Sequence, residues 1–418
     1  MTTLQIQEVI QEPTQVIKKL KGESLDLTIK LRLDEKLNSK NITVEAVKEK
    51  NGKLHFYNLK HQRTLGNIHI FKTRTTCNET GIFFFKFRYK KKHEEYWNWL
   101  SRENLELDVQ PDYINDLIVY NAFIRFFGSK AIKNGKINPG EGGTFDDLKN
   151  KLPELKKLGI NCLYLNPIHV IGEIYRNYNP HDLLPSYLQP GSPYSIKDYK
   201  SIDPELSFHK DHEKDSFSDP ATEFKELIDA AHKKGIRVIM DMVFNHTAHD
   251  YVLQRLHPEW YLYKLDITSL DEPYIYPEEI KQGKPWGDAR YTSCPFDHGH
   301  WWQDSTQLNW EYKIPKASND PPKNPTLKDM WTYFKSITKY WVINFSIDGF
   351  RCDVAYRIPT EFWYECIKET REAAKKHKTN LDHDVIFIAE SYCDDLYDLQ
   401  KAGFTAVYSD YSNKLYII

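Results

Sequence analysis

Arg351 and Asp353 lie two apart in the run Ser346-Ile-Asp-Gly-Phe-Arg-Cys-Asp-Val-Ala355. On a strand this spacing sends a permanent cation and a carboxylate to the same side. An opposite charge within a few ångström holds a carboxylate ionised, and an ionised aspartate fixed at a strand end can act as a nucleophile. The same pair would also serve as a buried structural ion pair, so other parts of the chain must decide. Two further apolar runs end in polar groups: Arg237-Val-Ile-Met-Asp241, followed by Met-Val-Phe-Asn245-His246, and Val385-Ile-Phe-Ile-Ala-Glu390. A carboxylate at the end of a buried strand is costly without a partner, so three such endings in succession predict one shared polar site.

Paired carboxylates on neighbouring strands suit glycoside chemistry. One attacks the anomeric carbon, while a second, with a raised pKa, protonates the leaving oxygen and later activates the incoming hydroxyl. Asp353, beside Arg351, is the nucleophile candidate. Glu390 follows an apolar strand and has no basic neighbour in sequence, which makes it the acid/base candidate. Retention of configuration predicts the two carboxyl groups roughly 5 to 5.5 Å apart.

Those side chains need strands to carry them. From about residue 110 short apolar runs alternate with amphipathic stretches. Leu117-Ile-Val-Tyr, Cys162-Leu-Tyr-Leu, Arg237 to Asp241, the Arg351/Asp353 run, Val385 to Ala389 and Thr405-Ala-Val-Tyr read as six strands. Strands alternating with helices argue a parallel sheet covered on both faces, and a closed eight-stranded barrel of the TIM type would need two more. Phe145, Leu148, Leu152, Leu155 and Leu158 form a helical stripe between a Thr144 cap and Gly159, with Pro153 expected to break or kink it. Further stripes are Phe224, Leu227, Ile228 and Ala231 behind Asp219-Pro220, and Met330, Phe334, Ile337 and Trp341. The connections 166–218 and 247–326 are too long for ordinary loops and leave from strand ends, where barrel enzymes build their sites. The second carries Trp260, Trp286, Trp301, Trp302 and Trp310; part of that aromatic surface is expected to face a ligand, with a structural role the expectation for any single one of them.

The first hundred residues follow another period. Leu25, Leu27, Ile29, Leu31 and Leu33 alternate with polar residues, Asn51-Gly52 marks a tight hairpin, and Phe83, Phe85, Phe87 and Tyr89 alternate again. These signals predict an all-β sandwich over residues 1–105, followed by the catalytic (β/α) barrel over 106–418, with 247–326 as a small inserted domain. The sandwich has no catalytic constellation, so packing or ligand presentation is its expected role.

Composition narrows the partners. Lys and Arg number 57 against 59 Asp and Glu, which leaves no charge excess for nucleic acid or an anionic membrane. Aromatic residues reach 14%, enough to fill a core and also to stack on neutral, hydroxyl-rich ligands such as sugars. Cys77, Cys162, Cys294, Cys352, Cys366 and Cys393 show no C-x-x-C pair, which argues against zinc and against a disulfide framework. No basic-then-apolar leader is visible and no apolar run spans a membrane, so a soluble, cytoplasmic protein is expected, its oligomeric state left open.

Taken in order, these motifs make residues 110 to 410 resemble the α-amylase family of retaining glycosidases and transglycosidases. Gly349-Phe-Arg-Cys-Asp353 is similar to the nucleophile motif and Ala389-Glu390 to the acid/base motif. Asp241 to His246 is similar to the first motif, which implies substrate binding by His246 and Asp241, with Arg351 beside them. Gln307-Leu308-Asn309 resembles the short motif of the inserted domain, with glutamine where aspartate is usual. Ser192-Pro-Tyr194 through Asp198-Tyr199 resembles the loop that supplies a stacking tyrosine, which points to Tyr194. The resemblance implies an oligosaccharide substrate and no required cofactor, with Asn245 and Asn309 as oxygen ligands for a structural calcium. The implied reaction is retaining hydrolysis of α-glucosidic bonds in α-glucans or maltooligosaccharides. Its alternatives are maltosyl or glucosyl transfer, suggested by the Gly191 to Tyr199 loop, and a non-catalytic carbohydrate-binding homologue.

Two departures qualify the resemblance. The Lys-His pair usual after the nucleophile is replaced by Tyr356-Arg357. No Asn-His-Asp motif follows Glu390, since Tyr408-Ser-Asp410-Tyr411 comes too early and lacks the histidine. The expectation is a chain that stops before the third catalytic carboxylate, the last barrel strands and a C-terminal β-domain, and that is weakly active at best alone.

Overall fold

The structure, a computed structural model, describes residues 6–11, 17–33, 39–50, 53–100, 105–127, 132–133, 136–137, 142–173, 191–211, 216–248, 250–261, 305–311, 323–378, 384–391, 396–409 and 414–417. The chain divides into two units, Met1–Asn115 and Asp116–Ile418. Among the described residues no helix is long and apolar enough to cross a membrane.

In the first unit, strict alternation along Ser24–Leu33 buries Leu25, Leu27, Ile29, Leu31 and Leu33 and turns the residues between them outward. Nine strands make one continuous sheet. The strand Lys53–Leu65 pairs by its first half with Ile42–Lys50 and by its second with Ile68–Thr76. That strand joins the two halves of the sheet, whose inward residues share one core: Leu27 and Phe71 from one half, Val44, Phe85 and Leu107 from the other. Lys50 pairs with Lys53 across Asn51-Gly52, which lie outside the described residues. Leu105–Gln110 pairs with Gly81–Lys91 and so belongs here, which moves the boundary from the expected residue 105 to 115.

The second unit is built on a seven-stranded sheet. Val119–Ala122, Cys162–Leu165, Arg237–Val243, Gly349–Asp353, Ile386–Glu390 and Ala406–Ser409 lie parallel and side by side in that order. Lys414–Ile417 then pairs antiparallel with the sixth. The fourth and fifth strands are buried along their whole length, as expected for a sheet with both faces covered. Gly349 is required for their approach, because a Cβ there would lie 2.3 Å from the Ile386 carbonyl oxygen.

Helices Phe145–Lys157, Pro220–His232, Leu327–Phe345 and Thr360–His377 alternate with these strands. Thr144 and Asp147 form a reciprocal cap at the first. The helix does not break at Pro153, which sits on its exposed side, where the carbonyl left without a partner can be hydrated. Among the described residues the tryptophans of the second long connection have structural roles. Trp260 and Trp310 are core residues, their indole nitrogens donating to Thr326 Oγ1 at 2.8 Å and the Phe244 carbonyl at 2.9 Å. Trp286, Trp301 and Trp302 lie outside the described residues.

Candidate active site

Strand register brings the polar ends together. Asp241 stands opposite Arg351, Val243 opposite Asp353, and Cys352 opposite Ala389, so three neighbouring strands bring side chains from their C-terminal halves to one place. Arg351 is the hub. Its Nη1 donates to Asp241 Oδ1 and Oδ2 at 2.9 and 3.1 Å and to Asp353 Oδ1 at 2.6 Å. Its Nη2 lies 2.7 Å from Glu390 Oε1, and its Nε donates to the Tyr408 hydroxyl at 2.7 Å. Two more donors complete the set: the Tyr164 hydroxyl reaches Asp241 Oδ2 at 2.6 Å, and the Val354 amide reaches Glu390 Oε2 at 2.8 Å. All four charged residues are buried.

Three carboxylates around one guanidinium leave an excess of negative charge in a buried place. Burial pushes the Asp353 carboxyl well above the usual carboxylate range, Glu390 and Asp241 push it further, and Arg351 opposes them. Burial also raises Asp241, against the pull of Arg351 and the Tyr164 hydroxyl. Such a cluster favours keeping a proton, which belongs to the group and not to one residue. This corrects the sequence reading on two points. Arg351 is not a private counter-ion for Asp353, and Glu390, without a basic neighbour in sequence, has that same arginine beside it in space.

His246 opens the strand His246–Ala248, which pairs antiparallel with Ser305–Gln307 and sets His246 opposite Gln307. Its ring is hydrogen-bonded to the Tyr194 main chain, its Nδ1 lies 3.3 Å from Asn245 Nδ2, and burial lowers its pKa to about 4, which leaves a neutral imidazole near pH 7. Tyr199, fully buried, binds the carbonyls of Val243 and His246 through its hydroxyl and so fixes this turn from below. Tyr194 is half-buried. Its hydroxyl accepts from Asn166 Nδ2 at 3.0 Å, and burial together with the charges of Asp241 and Asp353 raises its pKa, which places it within the field of the cluster. Tyr356 and Arg357 are buried just after the strand Gly349–Asp353, and the Arg357 charge acts on His246.

Asn245 and Asn309 come near each other because the Leu308 amide donates to the Asn245 carbonyl. Asn245 Oδ1 is buried without a partner and is the kind of hard oxygen that calcium takes, whereas Asn309 Oδ1 already accepts from the Glu311 amide at 3.1 Å. Among the described residues no group of three or more His, Cys, Asp or Glu side chains is placed to hold a metal. The Asn245 oxygen fits a structural cation as one ligand of several.

Of the sequence candidates, Asp241, Arg351, Asp353 and Glu390 meet directly, with Tyr194 and His246 joined to each other beside them. Tyr164, Tyr408 and the Val354 amide were not foreseen. For the tyrosines a signal existed, since each puts a hydroxyl near the end of an otherwise apolar strand. A main-chain donor leaves no such trace.

Catalytic candidates at the carboxyl ends of parallel strands define an α/β enzyme site of the barrel class. Residues 124–395 match the alpha amylase catalytic domain, and the chain belongs to the alpha-amylase family. That membership implies a (β/α)8 barrel for the second unit. An alpha-1,4-glucan:maltose-1-phosphate maltosyltransferase of Picrophilus torridus is 26% identical over 333 residues, which cover 78% of this chain and 41% of the relative. A cyclomaltodextrinase of Thermoanaerobacter pseudethanolicus is 27% identical over 305 residues, 69% of this chain and 43% of the relative. The crystal structure of an alpha-amylase from Lactobacillus plantarum aligns with a TM-score of 0.46 at 26% identity, covering 71% of this chain and 53% of that one. The chain thus spans about two fifths of the length of these curated relatives.

Proposed function

We propose that this chain supplies the nucleophile and the acid/base of an enzyme that cleaves α-glucosidic bonds in α-glucans or maltooligosaccharides with retention. The observation that carries this reading is the sharing of one guanidinium by Asp353 and Glu390 at adjacent strand ends. Asp353 attacks the anomeric carbon as Glu390 gives its proton to the leaving glycosidic oxygen. The C–O bond breaks and a glycosyl ester forms on Asp353. Glu390, now a carboxylate, takes a proton from the incoming hydroxyl, whose oxygen attacks the same carbon and releases Asp353. The step requires Glu390 to start protonated and Asp353 to start as the anion. Arg351 stabilises Asp353 when it leaves as an anion. Neutral His246 and Tyr194 bind the sugar next to the reacting bond.

Water and a sugar hydroxyl arrive at the same intermediate, and transfer is the second reading. It is favoured by the loop Gly191 to Tyr199, by Tyr356-Arg357 after the nucleophile, and by the maltosyltransferase name of one relative. A non-catalytic carbohydrate-binding role would not need three carboxylates on one cation. The finer architecture in this reading is a β-sandwich followed by a barrel represented here by six parallel strands, with the small domain 247–326 inserted after the third. Calcium, where bound, would be structural and would take Asn245 Oδ1.

The test uses α-maltosyl fluoride with the 418-residue chain. Slow fluoride release, an α-anomer as first product by proton NMR, and no release from Asp353→Asn support the reading. A β-anomer first, or undiminished release from Asp353→Asn, overturns it. With maltooligosaccharides, products longer than the substrate distinguish transfer from hydrolysis.

A further inference from the structure

The polar groups at the strand ends continue past the carboxylate cluster, onto the first strand of the parallel sheet, through a chain of amides that this chemistry does not use. Asn121 stands opposite Tyr164, whose hydroxyl binds Asp241. Its Nδ2 donates to the Tyr164 carbonyl at 3.2 Å and to Asn166 Oδ1 at 3.0 Å. Asn166 in turn donates from Nδ2 to the Tyr194 hydroxyl at 3.0 Å. With its oxygen taken by Asn121, Asn166 has its NH2 group left for Tyr194, and an amide NH2 can only donate. Asn121 therefore sets which end of the Asn166 amide faces the tyrosine.

What the chain of amides holds is a ring. The main chain around Tyr194 is fixed by other contacts: its amide donates to Ser192 Oγ at 3.2 Å, its main chain is bonded to the His246 ring, and Arg125 Nη1 donates to the Gly191 carbonyl at 3.0 Å. Those contacts fix the backbone and leave the half-buried ring its side-chain torsions. A ring that packs on the flat face of a ligand must present its own face in one orientation. A hydrogen bond at the far end, on the hydroxyl, selects that orientation before the ligand arrives and so lowers the ordering cost of binding.

We propose that Asn166, oriented by Asn121, is a positioning residue that holds the Tyr194 ring ready for the sugar next to the reacting bond. That Tyr194 meets a sugar rests on the function proposed above, whereas the hydrogen-bonded chain from Asn121 to Tyr194 does not. The two asparagines act through the Tyr194 hydroxyl, so the three groups form one unit. Removing any one of them breaks it, and removing a second costs no more.

The test is calorimetric titration of the 418-residue chain carrying Asp353→Asn with maltotriose. Asn121→Ala, Asn166→Ala and Tyr194→Phe, which keeps the ring and removes the hydroxyl, should each raise Kd severalfold. In a Tyr194→Phe background Asn166→Ala should add nothing, a result that a merely structural asparagine would not give. Asn121 is exposed, so its truncation leaves no buried cavity. By tyrosine-ring NMR the Tyr194 resonance, assigned by its absence in Tyr194→Phe, should nevertheless shift in Asn121→Ala, two hydrogen bonds away. An unchanged Kd in the asparagine variants, losses that multiply in the double variant, a Tyr194 resonance unmoved by Asn121→Ala, or no binding of maltotriose overturns the proposal. Fluoride release by the unsubstituted chain reports on the catalytic reading alone, so either can fail without the other.

Discussion

A buried group of ionisable side chains lies toward each end of the strand Gly349–Asp353, and the two are built differently. At the entering end, Asp348 accepts from the Val238 amide at 2.7 Å and lies 2.7 Å from His232 Nε2, with the charges of Asp229 and Arg237 acting on the same imidazole. At the leaving end one guanidinium serves Asp241, Asp353 and Glu390. The titration of the two groups follows from that count. Burial pulls the His232 pKa down, but the hydrogen bond and charge of Asp348 outweigh it and the net shift is upward, toward the charged pair. Burial and like charges push Asp353 toward its neutral form despite Arg351. One end of the sheet is thus closed by a carboxylate–imidazole contact, whereas at the other three carboxylates share one cation.

Removing the hub should have the largest effect on stability. Arg351→Met leaves three buried carboxylates without their cation and should cost about 3–5 kcal/mol at neutral pH. Because the folded-state pKa values of Asp353 and Asp241 are raised, protons taken up at lower pH favour the folded form, so part of the loss should return as pH falls. Urea midpoints at pH 5 and pH 8 would show this, and a loss that does not vary with pH would argue against the unbalanced-charge account.

At the other end the sign reverses. His232 binds its proton more tightly when folded, so its contribution is fully present below the unfolded pKa of about 6.5 and is lost as pH rises through the folded value. Asp348→Asn should therefore cost roughly 2 kcal/mol at pH 6 and clearly less at pH 9. An equal cost at both values would reduce the pair to a pH-independent hydrogen bond.

The smallest effects sharpen the contrast. A left-handed residue flanks each end of the strand, Ser346 with φ 59° and Val354 with φ 48°. Glycine at either position should stabilise by about 1 kcal/mol, since a side chain is strained there. Ser346→Gly should leave fluoride release unchanged. Val354→Gly should slow it severalfold, because the Val354 amide that holds Glu390 then sits on a looser backbone. Equal rates for both variants would remove any functional meaning from the strain at Val354.

What could be read in the sequence was whatever left a polar residue at the end of an apolar run. Asp241, Arg351, Asp353 and Glu390 stood out for that reason, and alternation of strand and helix patterns located the six parallel strands that carry them. What could not be read depended on register between strands. That Arg351 serves three carboxylates follows from its position opposite Asp241 on one side and opposite Ile388, two residues before Glu390, on the other, which no spacing within one segment encodes. Trp260 and Trp310 could not be told from ligand-facing tryptophans in the sequence, because aromatic residues supply cores and ligand surfaces alike and only burial separates the two roles. Pro153 misled because the cost of a proline depends on which side of the helix it faces.

The account stands on Asp353 being the atom donor that carries the sugar. Glu390→Gln in the 418-residue chain, incubated with α-glucosyl fluoride, should accumulate a single covalent glucosyl adduct by intact mass, since the activated substrate needs no acid but the ester needs a base to leave. Peptide mapping should place that adduct on Asp353. An unmodified protein that nevertheless releases fluoride, or an adduct on any other residue, would contradict the assignment.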